Sequence, residues 1–79
     1  MSTLTVDKVL DCREVLCPLP VIQTSQAIQE IEVGQVLKVL ATDPGSPADI
    51  EAWARQTGHE LISSGQEDGA FAFYIRRTH

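Results

Sequence analysis

Residues 36–42 read Val-Leu-Lys-Val-Leu-Ala-Thr, apolar and β-prone almost without a break. A strand that wets one face alternates apolar and polar residues, whereas a nearly continuous run is expected where both faces are covered, in the centre of a sheet. Asp43-Pro44-Gly45 ends the run, because proline and glycine there favour a turn over continued extension.

The flanking segments supply what such a strand needs around it. Val6, Val9 and Leu10 among short polar residues predict a first strand over 5–12. After a connecting loop, Cys17-Pro18-Leu19-Pro20 opens a first helix, whose apolar set Val21, Ile28 and Ile31 falls at helical spacing over 21–31. Gly34 is expected to stop it. Ser46 at the N-cap, Pro47 at N1 and Asp49 in the first turn open a second helix. Ile50, Trp53, Ala54 and Thr57 give it a buried stripe, Trp53 reading as core, and Gly58 closes it. A third strand is predicted over 59–64, Asp68-Gly69 signals a hairpin, and Phe71, Phe73 and Ile75 alternate with Ala72, Tyr74 and Arg76 in a last strand.

The order β-α-β-α-β-β predicts an α/β two-layer sandwich, a four-stranded mixed sheet with two helices on one face. A right-handed crossover makes the first two strands parallel. The order 1-2-4-3 lets the final hairpin place the fourth strand antiparallel beside the second. The loop before Cys17 and the Asp43-Pro44-Gly45 loop then share the edge where parallel strands commonly carry their chemistry.

The 79 residues suffice for one domain, 1–79. An apolar share of 43% with 22% charged residues is globular rather than disordered, and two cysteines are too few for a disulfide scaffold. The longest uncharged apolar stretch, residues 15–22, is broken by two prolines and is far short of a membrane span, and no signal peptide is visible. A cytoplasmic protein is expected. Eleven acidic residues against six basic ones give a net charge of −5, which argues against tight nucleic-acid binding, because phosphates are met by a basic face. Two cysteines and the distant His59 and His79 are poor material for a metal site.

Cys17 precedes Pro18, and a residue before proline avoids the helical region, so Cys17 is expected at the N-cap with Pro18 at N1 and Pro20 at N3, where a missing N–H loses no helical bond. The Leu19 N–H between the prolines is expected to be free and directed toward the sulfur. The positive end of the helix dipole favours a thiolate, which predicts a depressed pKa for Cys17. Spacing alone leaves two readings open: a rigidly presented nucleophile, or a small buried apolar residue.

The stretch Leu10-Asp-Cys-Arg-Glu-Val-Leu-Cys-Pro-Leu-Pro-Val21 resembles the signature of the TusA-like (SirA-like) sulfur-carrier family, whose hallmark is Cys-Pro-x-Pro at the start of the first helix. The likeness continues through Ala41-Thr-Asp-Pro-Gly45, Ala52-Trp53, Gly58-His-Glu-Leu61 and Tyr74-Ile-Arg-Arg77. It implies a persulfide relay with Cys17 as the catalytic residue. A cysteine desulfurase or rhodanese-like donor would load Cys17, and a cysteine-bearing acceptor protein would take the sulfur on, in tRNA thiolation, molybdenum-cofactor supply or sulfur oxidation. No cofactor is implied. Leu19 stands where the family's sulfur-carrier version has Glu, which removes an acidic contact beside the sulfur.

Three residues are candidate auxiliaries. Cys12 is either a buried strand-end residue or a resolving thiol for Cys17. Arg13 is either a solvated loop cation or a group that meets a persulfide anion or an acidic partner. Asp43 is either a partner contact or the side chain that organises its own turn. His59 is expected to cap the second helix or face water. Two other readings remain at this stage: a regulatory or protein-interaction module of the same fold without sulfur transfer, and a thiol–disulfide protein using Cys12 and Cys17.

Overall fold

The computed structural model describes residues 5–16 and 19–79. Four strands and two helices follow in the expected order: β1 (Lys8–Cys12), α1 (Leu19–Ala27) running into a 3-10 turn (Ile28–Glu30), β2 (Val36–Ala41), α2 (Ser46–Thr57), β3 (Glu60–Glu67) and β4 (Ala70–Arg76). The sheet order is β1-β2-β4-β3, with β1 parallel to β2 and both contacts of β4 antiparallel. The predicted architecture and strand order are those observed.

The register sorts the side chains. Leu10, Val39, Phe73 and Ser64 stand in one row across the sheet, as do Cys12, Ala41 and Phe71. Leu10, Val39, Phe73, Cys12, Ala41 and Phe71, with Leu37 and Ile75, turn toward the helices and pack with Ala27, Ile28, Ile50, Trp53 and Ala54 in the core, whereas Ser64 at the end of its row is exposed. Trp53 is buried as expected and donates its indole N–H to Ser25 Oγ at 2.7 Å, tying α2 to α1. On the other face Lys38 donates to Glu67 at 2.7 Å beside the Tyr74 ring.

Several boundaries differ from the sequence reading. β1 begins at Lys8 rather than at residue 5. Asp7 extends the pairing differently, its N–H donating to the Val36 carbonyl while its carboxylate accepts the Val36 N–H. α1 tightens into the 3-10 turn before residue 31, a common helix ending. Gly34 lies beyond it at φ +94°, in the turn that enters β2, with its N–H on the Arg77 carbonyl. β3 runs three residues further than predicted, because the Asp68-Gly69 turn is tight: both residues have positive φ, the geometry of a two-residue hairpin loop. A bulge between Leu61 and Ser63 interrupts its register.

Ser46 is not the N-cap of α2. Gly45 occupies that position without a side-chain bond, and Ser46 is the first helical residue. The Asp43 carboxylate already accepts the Gly45 N–H and the Asp43 carbonyl accepts the Ser46 N–H, so the turn is closed one residue early. The Ser46 hydroxyl is buried and has no partner among the described residues. Gly58 closes the helix as expected, at φ +85° with its N–H on the Ala54 carbonyl. The positions expected for Cys17 at the N-cap and Pro18 at N1 lie outside the described residues.

Candidate functional site

β1 and β2 run parallel and end together at Cys12 and Ala41, with Cys12 opposite Ala41 in register. The chain leaves β1 through Arg13–Leu16 and enters α1 at Leu19; it leaves β2 through Asp43–Gly45 and enters α2 at Ser46. Both loops therefore share one edge of the sandwich, as the topology predicted. The β3–β4 turn joins them there, since Phe71 is opposite Ala41.

Cys17 and Pro18 directly precede α1 in the sequence. Pro20, the second residue of α1, is buried, and its carbonyl accepts the Thr24 hydroxyl at 2.6 Å. Its ring therefore packs as well as starting the helix. The Leu19 N–H is not the free donor expected: it donates to the Leu16 carbonyl at 2.9 Å.

Cys12 is fully buried at the last position of β1, and its thiol lies 3.1 Å from Gln23 Oε1, to which it donates. Burial pushes the thiol pKa up, and the adjacent Asp11 carboxylate adds to the shift. The protonated form that results is a poor nucleophile at neutral pH.

Arg13 is directed onto Asp11. Its Nε and Nη2 donate to the two carboxylate oxygens at 2.9 and 2.8 Å, and its backbone N–H donates to Oδ1 at 3.0 Å. These bonds hold the Asp11 pKa down at about 2. Glu14 follows with a left-handed φ of +65°, strained for a residue with a Cβ, and is fixed by its N–H on Thr42 Oγ1 at 2.8 Å. Asp11, Arg13, Glu14 and Thr42 line an open cleft of about 370 Å³. Asp43 closes its own turn, the structural role weighed for it above.

Asp11, Gln23 and Thr42, which position these candidates, were not singled out from the sequence. Asp11 carried a signal, a carboxylate two residues before an arginine at a strand end. Gln23 and Thr42 carried none, because their partners are 11 and 28 residues away. His59 neither caps α2 nor simply faces water: its ring stacks between Trp53 at 5.7 Å and His79 at 4.5 Å, at the opposite edge of the molecule. No group of three or more metal-ligating side chains occurs among the described residues, and no helix among them is long and apolar enough to cross a membrane.

This is a small two-layer α/β domain whose site edge gathers the loops that open both helices. The family described as sulfurtransferase TusA matches it over residues 8–77. The chain is 44% identical over 72 residues to the sulfur carrier protein TusA of Allochromatium vinosum, covering 91% of this chain and 95% of that one. It is 41% identical over 71 residues to the putative sulfur carrier protein YrkI of Bacillus subtilis, covering 90% and 95%. A putative sulfur carrier protein of Aquifex aeolicus is 44% identical over 78 residues; there this chain spans only 40% of the relative's length. Among solved structures, the SirA-like protein of Desulfitobacterium hafniense superposes with a TM-score of 0.79 at 26% identity, covering 91% of this chain and 99% of that one. The chain belongs to the TusA family.

Proposed function

We propose that this protein is a sulfur carrier that holds sulfane sulfur as a persulfide on Cys17 and passes it between protein partners. The observation that carries the reading is the family match over residues 8–77, which spans the Cys17-Pro18-Leu19-Pro20 stretch. The state of the other thiol supports it: Cys12 is buried, bonded to Gln23 and pushed toward the protonated form. That leaves Cys17 as the thiol for exchange.

In the first half-reaction the Cys17 thiolate attacks the terminal sulfur of a donor persulfide. A new S–S bond forms on Cys17 while the donor's S–S bond breaks, and the electron pair leaves with the donor cysteine as thiolate. In the second, an acceptor cysteine thiolate attacks the terminal sulfur on Cys17 and the Cys17 thiolate departs. Neither step consumes an external oxidant or reductant. A low pKa for Cys17 favours its departure. The donor is a cysteine desulfurase or a rhodanese-like protein, and the acceptor bears a cysteine. Pro18 and Pro20 stiffen the entry to α1, and placement of the sulfur governs transfer between two proteins.

Mass spectrometry after incubation with a cysteine desulfurase and cysteine tests this. The expected result is a one-sulfur gain on Cys17 that is lost in Cys17→Ser with the circular dichroism unchanged. Loss of two hydrogens instead would indicate a Cys12–Cys17 disulfide protein, and an unchanged mass would indicate an interaction module.

A further inference from the structure

The net charge of −5 is distributed unevenly. Of the six Lys and Arg residues, Lys8 opens β1, Arg55 lies in the last turn of α2, Arg76 closes β4 and Arg77 follows it. All four stand at the edge away from the site, because β1 and β2 run toward the site edge while α2 and β4 run from it. Lys38 sits inside β2 against Glu67. Arg13 is the remaining cation, and Asp11 matches its charge. Glu14, Asp43 and Asp68 lie in the three loops of the site edge, Asp68 near enough to act on Arg13 electrostatically.

Beside this acidic rim the surface is apolar. Leu16 is 72% exposed, Leu19 48% and Ile22 47%. Leu19 and Ile22 are one turn apart on α1, and the Leu16 carbonyl is bonded to the Leu19 amide. Only two other large apolar side chains among the described residues are comparably open, Val9 and Val33. Three exposed aliphatic side chains grouped around Cys17 in the sequence, beside unmatched carboxylates, form a surface of two chemistries.

We infer that Leu16, Leu19 and Ile22 are the anchors of a docking surface for the persulfide donor, and that the donor's matching surface is an apolar pocket ringed by lysine or arginine. The inference rests on the sulfur-carrier reading for the partner's identity. The pocket follows from the aliphatic side chains and the basic ring from Glu14, Asp43 and Asp68. In such an interface the apolar anchors govern residence time, and the charges govern the rate of encounter and the dependence on salt. A patch this small suits a transient complex, below roughly 1,200 Å² of total buried area, as a carrier that must leave its donor requires.

The test uses the full chain and a cysteine desulfurase as the binding probe, with dissociation constants measured at low and raised salt. Leu19→Ser and Ile22→Ser are expected to weaken binding about tenfold at both salts. Val33→Ser, the exposed apolar control at the far edge, should bind as the parent does. Raised salt should weaken the parent several-fold, and a Glu14→Gln/Asp68→Asn variant should bind less tightly with a flatter salt response. Parental affinity in both Leu19→Ser and Ile22→Ser, an equal loss in Val33→Ser, a salt-independent parent or a parent that does not bind would each overturn the inference. Sulfur uptake from inorganic polysulfide, which needs no docking, is followed in the same proteins. Uptake together with unchanged affinity in the Leu19 and Ile22 variants overturns the docking surface alone. Absence of uptake alongside the expected affinities overturns the carrier reading and leaves the surface in place.

Discussion

Arg13 grips Asp11 through both carboxylate oxygens, and its own amide joins the second-closest of those contacts on Oδ1. The pair closes the end of β1 on itself, its two opposite charges matching, and lines the cleft with Glu14 and Thr42.

The first prediction concerns its titration. The Asp11 pKa lies at about 2 because Arg13 bonds to the ionised form. A depressed carboxyl contributes stability that is present above its unfolded pKa and is lost as pH falls through about 2. The pair therefore persists across the neutral and mildly acidic range. Carboxyl chemical shifts in an NMR titration should give a midpoint near 2 for the parent, returning toward the ordinary carboxylate range in Arg13→Ala. An unmoved midpoint would mean that Arg13 is not the cause.

Cys12 should be inert where Cys17 reacts. In the native protein one thiol is expected to alkylate rapidly at neutral pH, with Cys12 modified only at alkaline pH or on unfolding, because burial and Asp11 raise its pKa. Cys12→Ser retains a partner for Gln23 and should cost about 1 kcal/mol while keeping sulfur uptake. Peptide mapping after timed alkylation checks the first claim and urea unfolding the second. Rapid labelling of both cysteines, or loss of transfer in a folded Cys12→Ser protein, would give Cys12 a part in the exchange.

These two residues show what a sequence can disclose. The strand order, the shared edge of the two loops and the hairpin at Asp68-Gly69 were legible, because each follows from periodicity, crossover handedness or turn chemistry confined to a few neighbouring residues. The roles of Cys12 and Arg13 stayed open because each is decided by a partner: Gln23, across the layer on α1, and Asp11, whose reach back to Arg13 depends on how the chain leaves β1. The Leu19 amide was misread for the same reason, its acceptor being set by the path of the preceding loop. Ser46 failed differently. Its residue type is right for an N-cap, but the Asp43 carboxylate takes the Gly45 amide first and the cap falls one residue early.

That misplacement is itself testable. The Ser46 hydroxyl is buried without a partner among the described residues, and an unsatisfied buried hydroxyl costs stability. Ser46→Ala removes it and improves helix propensity in the first turn, and should stabilise the fold by about 1 kcal/mol. Thermal and denaturant unfolding measure the change; a destabilised Ser46→Ala protein would show that the hydroxyl has a partner in solution.

His59 supplies a pH dependence at the far edge. Its pKa is lowered, first by burial and then by His79 and Arg77, and its Nδ1 accepts the Thr78 N–H, which only the neutral ring can do. A histidine whose folded pKa is depressed contributes stability that is full above the unfolded value of about 6.5 and falls as pH drops through the folded value. The melting temperature should therefore decline on acidification below about pH 6.5, and His59→Gln should flatten that decline. A parental slope in His59→Gln would assign the dependence to other groups.

The strand order has a consequence in time. β2 borders β1 on one side and β4 on the other, and β3 touches the rest of the sheet only through β4. The strand that unites the sheet is thus the last of the four in the chain. A nascent or truncated polypeptide ending before Ala70 can form the parallel β1–β2 unit and both helices, but Val39 and Leu37 still lack Phe73 and Ile75 against them. Sheet completion waits for the carboxyl-terminal segment, so Ala41, at the edge where both helix-opening loops leave the sheet, gains its partner Phe71 only when synthesis has passed β4.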